Sequence, residues 1–293
     1  MKLAGWQLLA WAKTMISIRA WLSHARQKIS KTSATAALDV EVLLANVLNK
    51  DKSWLFAHSE TEIDDEAMQK LDEQLIFLEA GYPLPYLLGS WEFYGLPFQV
   101  SEAVLIPRPE TELIVEESLR WLKSHQTATY ALDVGTGTGC IAISIAINHP
   151  PVHWLAVDLS QPALHIARKN IEQHGLSDRI DLIQSNLLTA THRQFDLICA
   201  NPPYIPTPTF VNLLVSQWEP RLALDGGWDG MTMIHKLLEQ SVERLNTPGL
   251  LLCEIEETLK EPVLADAGLI FPNANISILN DLASKPRVLR IEQ

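Results

Sequence analysis

Apolar residues recur at three- and four-residue steps over positions 17–80. Ile18, Trp21, Leu22, Ala25 and Ile29 fall on one helical face; 38–48 is a second apolar stretch, and Ile63, Ala67, Leu71, Leu75 and Leu78 make a third. Acids stand at the start of the third, where the helix dipole favours them, and Gly81 stops it. The pattern predicts a small α-helical bundle over 1–81, with no residue in it that looks catalytic. Over 82–107 the period shortens. Trp91, Phe93, Tyr94, Phe98 and Val100 alternate around Gly89, Gly95 and Pro97, which predicts a β-hairpin linker. In Leu105-Ile-Pro-Arg-Pro-Glu-Thr-Glu112, Arg108 is held extended between two prolines, and Pro109 opens a helix running on to Lys123.

From Tyr130 onward, strand-like and helix-like runs alternate. Strands are predicted at 131–134, 153–157, 180–184, 195–200 and 250–255, and helices at 140–148 and 162–174, the latter ended by Gly175. Such alternation predicts an α/β domain over 108–293 with a parallel, doubly wound sheet. The last two runs, 276–279 and 288–291, have no helix between them and are expected to pair as a hairpin.

The candidate chemistry sits in the turns after these strands. Gly135-Thr136-Gly137-Thr138-Gly139 lies between the first strand and its helix, where glycines permit a tight turn and close approach of backbone to a ligand. Asp158 ends the second strand, where a carboxylate can accept both hydroxyls of a ribose. Alone the loop is weak, because nicotinamide, flavin and adenosyl ligands all use such turns. Its Gly-x-Gly-x-Gly spacing departs from the dinucleotide fingerprint, however, and Asp133 before it repels phosphate but attracts a cationic sulfonium or amino group.

Asn201-Pro202-Pro203-Tyr204 follows the 195–200 strand. Prolines have a fixed φ and no N–H, so the loop is stiff and its carbonyls are left to accept hydrogen bonds. Asn201 adds a side-chain acceptor and Tyr204 a flat face, an arrangement suited to gripping a planar –NH₂ group by both hydrogens. An isolated Asn-Pro-Pro is better read as a rigid turn. Joined to the glycine loop and Asp158, it favours S-adenosyl-L-methionine as the ligand.

Composition narrows the guest. The 293 residues carry a net charge of −12 with pI near 5.2 and no Lys/Arg clusters, which argues against a direct nucleic-acid substrate. Cys140, Cys199 and Cys253 lie far apart in or beside apolar runs and read as buried free thiols in a reducing compartment. Pro150 and Pro151 between His149 and His153 rule out a helical metal pair, and no metal site is expected. The apolar start is interrupted by Lys13 and Arg19 with no small-residue cleavage site after it, and no run reaches a membrane span; a cytoplasmic protein is expected.

From about Met15 to its end the chain resembles the release factor glutamine methyltransferases, the HemK/PrmC family. Tyr86-Leu-Leu-Gly89, Glu92-Phe93, the 105–112 block, Asp133 to Gly139, Asn201 to Tyr204 and Glu219-Pro-Arg-Leu-Ala-Leu-Asp-Gly-Gly227 carry the resemblance. Asn-Pro-Pro-Tyr is shared with adenine-N6 methyltransferases; the 105–112 and 219–227 blocks are far more specific. The resemblance implies a Rossmann-like class I S-adenosylmethionine-dependent methyltransferase domain after the helical bundle. It also implies methylation of the side-chain amide nitrogen of the Gly-Gly-Gln glutamine in class-1 peptide chain release factors. By it, Gly135 to Gly139, Asp158 and Asn201 bind cofactor, and Asn201, Pro202, Pro203 and Tyr204 hold the substrate glutamine, with Asn201, Pro202 and Tyr204 taken as catalytic. Relatives carry an acid and an aromatic near the adenine where this chain has Asn186 and Leu187; Asn186 keeps a hydrogen bond to the adenine, while Leu187 stacks less. Further departures are Trp228 and the run Glu256-Glu257-Thr258, expected to alter surface or packing rather than activity. The first 14 residues precede the usual family start. Two other readings stand beside this one: a nucleic-acid adenine-N6 methyltransferase, and a non-catalytic cofactor-binding partner protein.

Overall fold

The computed structural model describes residues 16–293. The expectations for the apolar start and for residues 1–14 as an extension lie outside the described residues. Contacts divide the chain into two compact units, one ending at Leu88 and the other spanning Gly89–Gln293.

The first unit contains α1 (Ile18–Ile29), α2 (Ala36–Leu48), α3 (Lys52–Ala57), α4 (Asp65–Glu79) and α5 (Leu84–Leu88). Side chains of Ser17, Asp51 and Asp64 cap α1, α3 and α4 by accepting from backbone N–H groups of the first turn. The periodic residues meet as expected: Trp21, Ala25 and Ile29 of α1 pack with Leu43 and Leu44 of α2 and Leu71 and Leu75 of α4. Leu84 joins that core. The segment 84–88, read from sequence as part of a β-like linker, is therefore a helical turn, because its run of Leu, Pro and Tyr is too short to display a period.

The second unit opens with the hairpin β1 (Ser90–Phe93) and β2 (Leu96–Gln99). Tyr94 and Gly95, at φ 52° and 70°, form its two-residue turn. Phe93 and Phe98 sink into the core with ring centroids 6.1 Å apart. After a 3₁₀ turn at Pro109–Thr111 come α6 (Glu112–Ser124), β3 (Tyr130–Val134), α7 (Cys140–Asn148), β4 (His153–Asp158), α8 (Gln161–Gln173), β5 (Ile180–Gln184) and β6 (Phe195–Ala200). The short helices α9 (Thr207–Phe210) and α10 (Arg221–Leu224) precede α11 (Thr232–Ser241), β7 (Leu245–Glu254), α12 (Lys260–Ile270), β8 (Asn275–Asn280) and β9 (Pro286–Glu292).

The sheet order is β5-β4-β3-β6-β7-β9-β8. The first five strands are parallel, β9 runs antiparallel to β7, and β8 pairs antiparallel with β9 as the expected terminal hairpin. Side chains alternate between two cores. Ala131, Leu197, Cys199 and Leu252 face α6 and α7, while Leu132, Ile198, Ala200 and Leu251 face α11 and α12. Strand order reverses between β3 and β6, so a crevice opens beyond their carboxyl ends.

Buried Asn170 of α8 ties this frame to the turn above β3. Its side chain accepts from Gln99 N–H at 2.7 Å and donates to the Thr138 carbonyl at 2.9 Å and the Gln99 carbonyl at 3.1 Å.

Candidate active site

Three turns converge on the crevice. The first leaves β3 with Gly135, Gly137 and Gly139 at φ 71°, 55° and 82°, a left-handed conformation that side-chain-bearing residues avoid. The Gly135 and Thr136 N–H groups both donate to the Val157 carbonyl at 2.9 Å, so the turn is pinned to the end of β4. The second turn carries Asp158, whose carboxylate accepts from Gly137 N–H at 2.9 Å and Ser160 N–H at 2.8 Å. Burial raises its pKa and those N–H groups oppose the rise. Each carboxylate oxygen keeps a lone pair beyond these bonds.

Asp133, at the end of β3, is 0% exposed. The Thr136 hydroxyl donates to its Oδ2 at 2.7 Å, while Oδ1 is buried without a hydrogen-bond partner. Burial pushes its pKa up to about 7, against the Thr136 hydroxyl and the Ala142 N–H, which favour the charged form. Fully buried and outside the lining of the cavity between the turns, Asp133 holds the glycine turn through Thr136 rather than meeting a ligand's cationic group directly, as its place in the sequence suggested.

The third turn is Asn201-Pro202-Pro203-Tyr204, after β6. Asn201 Nδ2 donates to Thr111 Oγ1 at 3.1 Å. Thr111 in turn donates to Glu254 Oε2 at 2.6 Å, and the Tyr204 hydroxyl donates to Glu254 Oε1 at 3.3 Å. Among the described residues nothing donates to the Pro202 carbonyl. Burial, and after it the nearby Glu254 carboxylate, raise the pKa of Tyr204, which stays a phenol at any physiological pH.

A cavity of about 430 Å³ connects the three turns. Gly135, Thr136, Gly137, Thr138, Asp158, Asn186, Leu187, Asn201, Pro202 and Pro203 all line it. Gly139, Tyr204 and the fully buried Asp133 do not. A Cβ on Gly139 would lie 3.1 Å from Ile143 Cδ1, so that glycine serves the packing of α7. The Tyr204 ring packs on the core facing α11 and α12. Leu187 is mostly buried at φ 53°. A larger hollow of about 790 Å³ lies at the opposite, amino-terminal ends of β3 and β4, away from all of these residues.

The segment after the third turn folds back and clamps it. Ile205 and Asp225 form a parallel bridge, Gly226 N–H donates to the Ile205 carbonyl at 2.8 Å, and Thr207 N–H donates to the Gly227 carbonyl at 2.7 Å. Gly226 lies so close to the turn that a Cβ there would sit 2.7 Å from the Pro203 oxygen and from Tyr204 Cα. Arg108, extended as expected, pairs at 2.5 Å with Glu219, which also accepts from Ile106 N–H. The two sequence blocks, 105–112 and 219–227, thus meet through this pair. Burial raises the pKa of Glu219, and the Arg108 guanidinium opposes that. Arg108→Ala should cost about 1–3 kcal/mol, below the range for a fully buried pair because Arg108 is partly exposed. Losing the guanidinium raises the folded-state pKa of Glu219 further above its unfolded value. The deficit in urea denaturation should therefore be larger above neutrality than in mildly acid buffer, where protonation relieves it.

Thr111, Glu219, Gly226 and Glu254 were not singled out by sequence. Each stands in a segment whose composition drew attention, but its partner lies far away in the chain. At the departures from the family pattern, Trp228 is 81% exposed, and Glu256 accepts from Thr258 N–H to cap a 3₁₀ turn at Glu257–Leu259. The three cysteines are buried and free. Burial raises the pKa of each thiol, that of Cys140 to about 12, which leaves them inert. Among the described residues no cluster of potential ligands could hold a metal ion, and no helix is long and apolar enough to cross a membrane.

Residues 20–89 match the family described as PrmC N-terminal domain, and residues 113–218 match the methyltransferase small domain. Among solved structures, the hMettl16 catalytic domain in complex with the MAT2A 3'UTR hairpin 6 superposes with a TM-score of 0.54 at 16% identity, covering 78% of this chain and 82% of that one. That likeness shows the fold. The release factor glutamine methyltransferase of Rhodopirellula baltica is 35% identical, covering 96% of both chains. That of Koribacter versatilis is 38% identical over 86% of this chain and 89% of its own. The enzyme of the same name from Moorella thermoacetica is 38% identical over 85% and 89%. With relatives this similar along nearly all of its length, the chain belongs to the release factor glutamine methyltransferase family.

Proposed function

We propose that the protein transfers a methyl group from S-adenosyl-L-methionine to the side-chain amide nitrogen, N5, of the Gly-Gly-Gln glutamine in class-1 peptide chain release factors, in the cytoplasm. The observation that carries this reading is that Asn201 and Pro202, two acceptors on a stiff turn, line the same cavity as the glycine turn and Asp158.

The cavity fits the cofactor by its donors and acceptors. Gly135 and Gly137 offer backbone without side chains in the way, Thr136 and Thr138 flank them at the cavity wall, and Asp158 offers free lone pairs for ribose hydroxyls. Asn186 and Leu187 stand at the cavity wall for the adenine, and Gly139 keeps α7 against the turn. When bound, S-adenosyl-L-methionine supplies an electrophilic methyl group.

The chain's own residues then make a poor nucleophile usable. An amide nitrogen is unreactive because its lone pair is delocalised into the carbonyl. Asn201 Oδ1 and the Pro202 carbonyl accept its two N–H bonds, which fixes the nitrogen in the attack geometry and favours positive charge building on it. Pro203 stiffens the turn. Tyr204 anchors its far end through its hydrogen bond to Glu254, behind the cavity wall. A strong base is unnecessary, since an N-alkylated amide cation sheds its proton readily. A carboxylate guest, lacking N–H donors, is rejected.

An adenine amino group presents the same two hydrogens, so the alternative, adenine-N6 methylation, uses the same turn. The net charge of −12 disfavours it, as does the shared name of the full-length relatives. Incubation with labelled S-adenosyl-L-methionine and either release factor or DNA separates the two readings. Label is expected in the release factor alone; label in DNA alone contradicts the proposal.

A further inference from the structure

The hydrogen bonds behind Asn201 have a direction. An ionised carboxylate has no proton to give, so both hydroxyls that reach Glu254 must donate to it: Thr111 to Oε2 at 2.6 Å and Tyr204 to Oε1 at 3.3 Å. With its proton committed, Thr111 can only accept from Asn201. The group facing it must be the –NH₂ end of the Asn201 amide, as found at 3.1 Å. The carbonyl end of Asn201 is thereby turned away from Thr111, and Asn201 lines the cavity.

We propose that Glu254 is a positioning residue which, acting as a carboxylate through Thr111, holds the Asn201 side chain with its oxygen toward the substrate amide. The inference rests on the reading of Asn201 as the acceptor. Protonated Glu254 would no longer dictate the order, because its own hydroxyl could donate to Thr111. Thr111 could then donate to Asn201 Oδ1, and the amide would present –NH₂ to a guest that also brings –NH₂.

The surroundings of Glu254 bear this out. It is 2% exposed at the end of β7. Thr111 and Glu110 face it from the 3₁₀ turn, Cys140 from α7, Tyr204 from the turn after β6, Arg287 from β9, and Cys253 from its own strand. Burial pushes its pKa up to about 7; the Thr111 and Tyr204 hydroxyls oppose this, Glu110 adds to it and Arg287 opposes it. Arg287 is itself paired with Asp281 at 2.9 Å, so Glu254 lacks a dedicated counter-ion. A carboxylate that served packing alone would be better replaced by an apolar group.

The test uses the full chain with release factor as substrate and follows kcat, KM and cofactor affinity across pH. For the parent protein kcat should fall as pH drops through about 7, as Glu254 takes a proton. In Glu254→Gln that acid limb should vanish. Thr111→Val should lower kcat about 10- to 100-fold, less than loss of Asn201 itself, with cofactor affinity nearly unchanged, and Thr111→Ser should restore it. Adding Glu254→Gln to Thr111→Val should cost little more, because both act through one chain of bonds. An acid limb that persists in Glu254→Gln, or a Thr111→Val protein with parental kcat, overturns the inference. If Thr111→Val fails to fold, the pH profile of Glu254→Gln decides alone. An Asn201→Ala protein with full activity would instead defeat the underlying reading of the site; an inactive Asn201→Ala beside fully active Thr111 and Glu254 variants defeats only this one.

Discussion

Asn201→Ala should lower kcat for release factor methylation by about 100- to 1000-fold, the range seen when one preorganised electrostatic contact is removed from a reacting group. Its affinity for S-adenosyl-L-methionine should change far less. The asymmetry follows from position: the cavity's glycine turn and Asp158 come from β3 and β4, and their hydrogen bonds do not pass through Asn201. Single-turnover kinetics with calorimetric titration of the cofactor would read both quantities. Near-parental turnover would sink the proposed grip on the amide. Asn201→Asp is the sharper companion, since it keeps an acceptor but cannot donate to Thr111 and sets a second acid close to Glu254. Its turnover should also fall well below the parent's, and a fully active Asn201→Asp would show that the Thr111 contact is dispensable.

The second large effect is expected from a residue with no polar side chain. Gly226→Ala places a methyl group 2.7 Å from both the Pro203 oxygen and Tyr204 Cα, distances that real Cβ contacts do not tolerate. Both obstacles are backbone of a turn stiffened by two prolines, so the strain must displace the turn rather than rotate a side chain. A shift on the order of 1 Å at the reacting groups is enough to cost about 100-fold in rate. Cofactor affinity should fall less than turnover, and melting temperature should drop as the clamp between Ile205 and Asp225 loosens. A Gly226→Ala protein with parental kcat and stability would mean that the 219–227 segment is free to retreat from the turn.

The sheet was legible because each strand is an apolar run fenced by glycine, proline or polar residues. The predicted limits of 140–148, 180–184 and 195–200 coincide with the observed α7, β5 and β6. Strand β7 begins at Leu245 rather than 250, because Leu245 pairs with Phe195 across a stretch, Asn246 to Gly249, that reads locally as a turn. Helix α3 went unnoticed since six residues are too few to show a period. The site was legible where chemistry is carried by adjacent residues, as in the glycine turn and Asn201-Pro-Pro-Tyr204. It was opaque where chemistry is assembled across the fold. Thr111 and Glu254 are 143 residues apart, and neither a lone threonine nor an acid at a strand end announces a partner. The same holds for Arg108 and Glu219, whose conspicuous segments gave no hint that they face each other.

The most direct test of the central claim is peptide mapping of release factor after incubation with the protein and S-adenosyl-L-methionine, using the natural Gly-Gly-Gln sequence and its glutamine-to-glutamate variant. One added methyl group is expected on the glutamine side-chain amide and none on the glutamate variant, because a carboxylate has no N–H to offer Asn201 and Pro202. Equal methylation of both substrates, or a methyl group at any other residue, would contradict the claim.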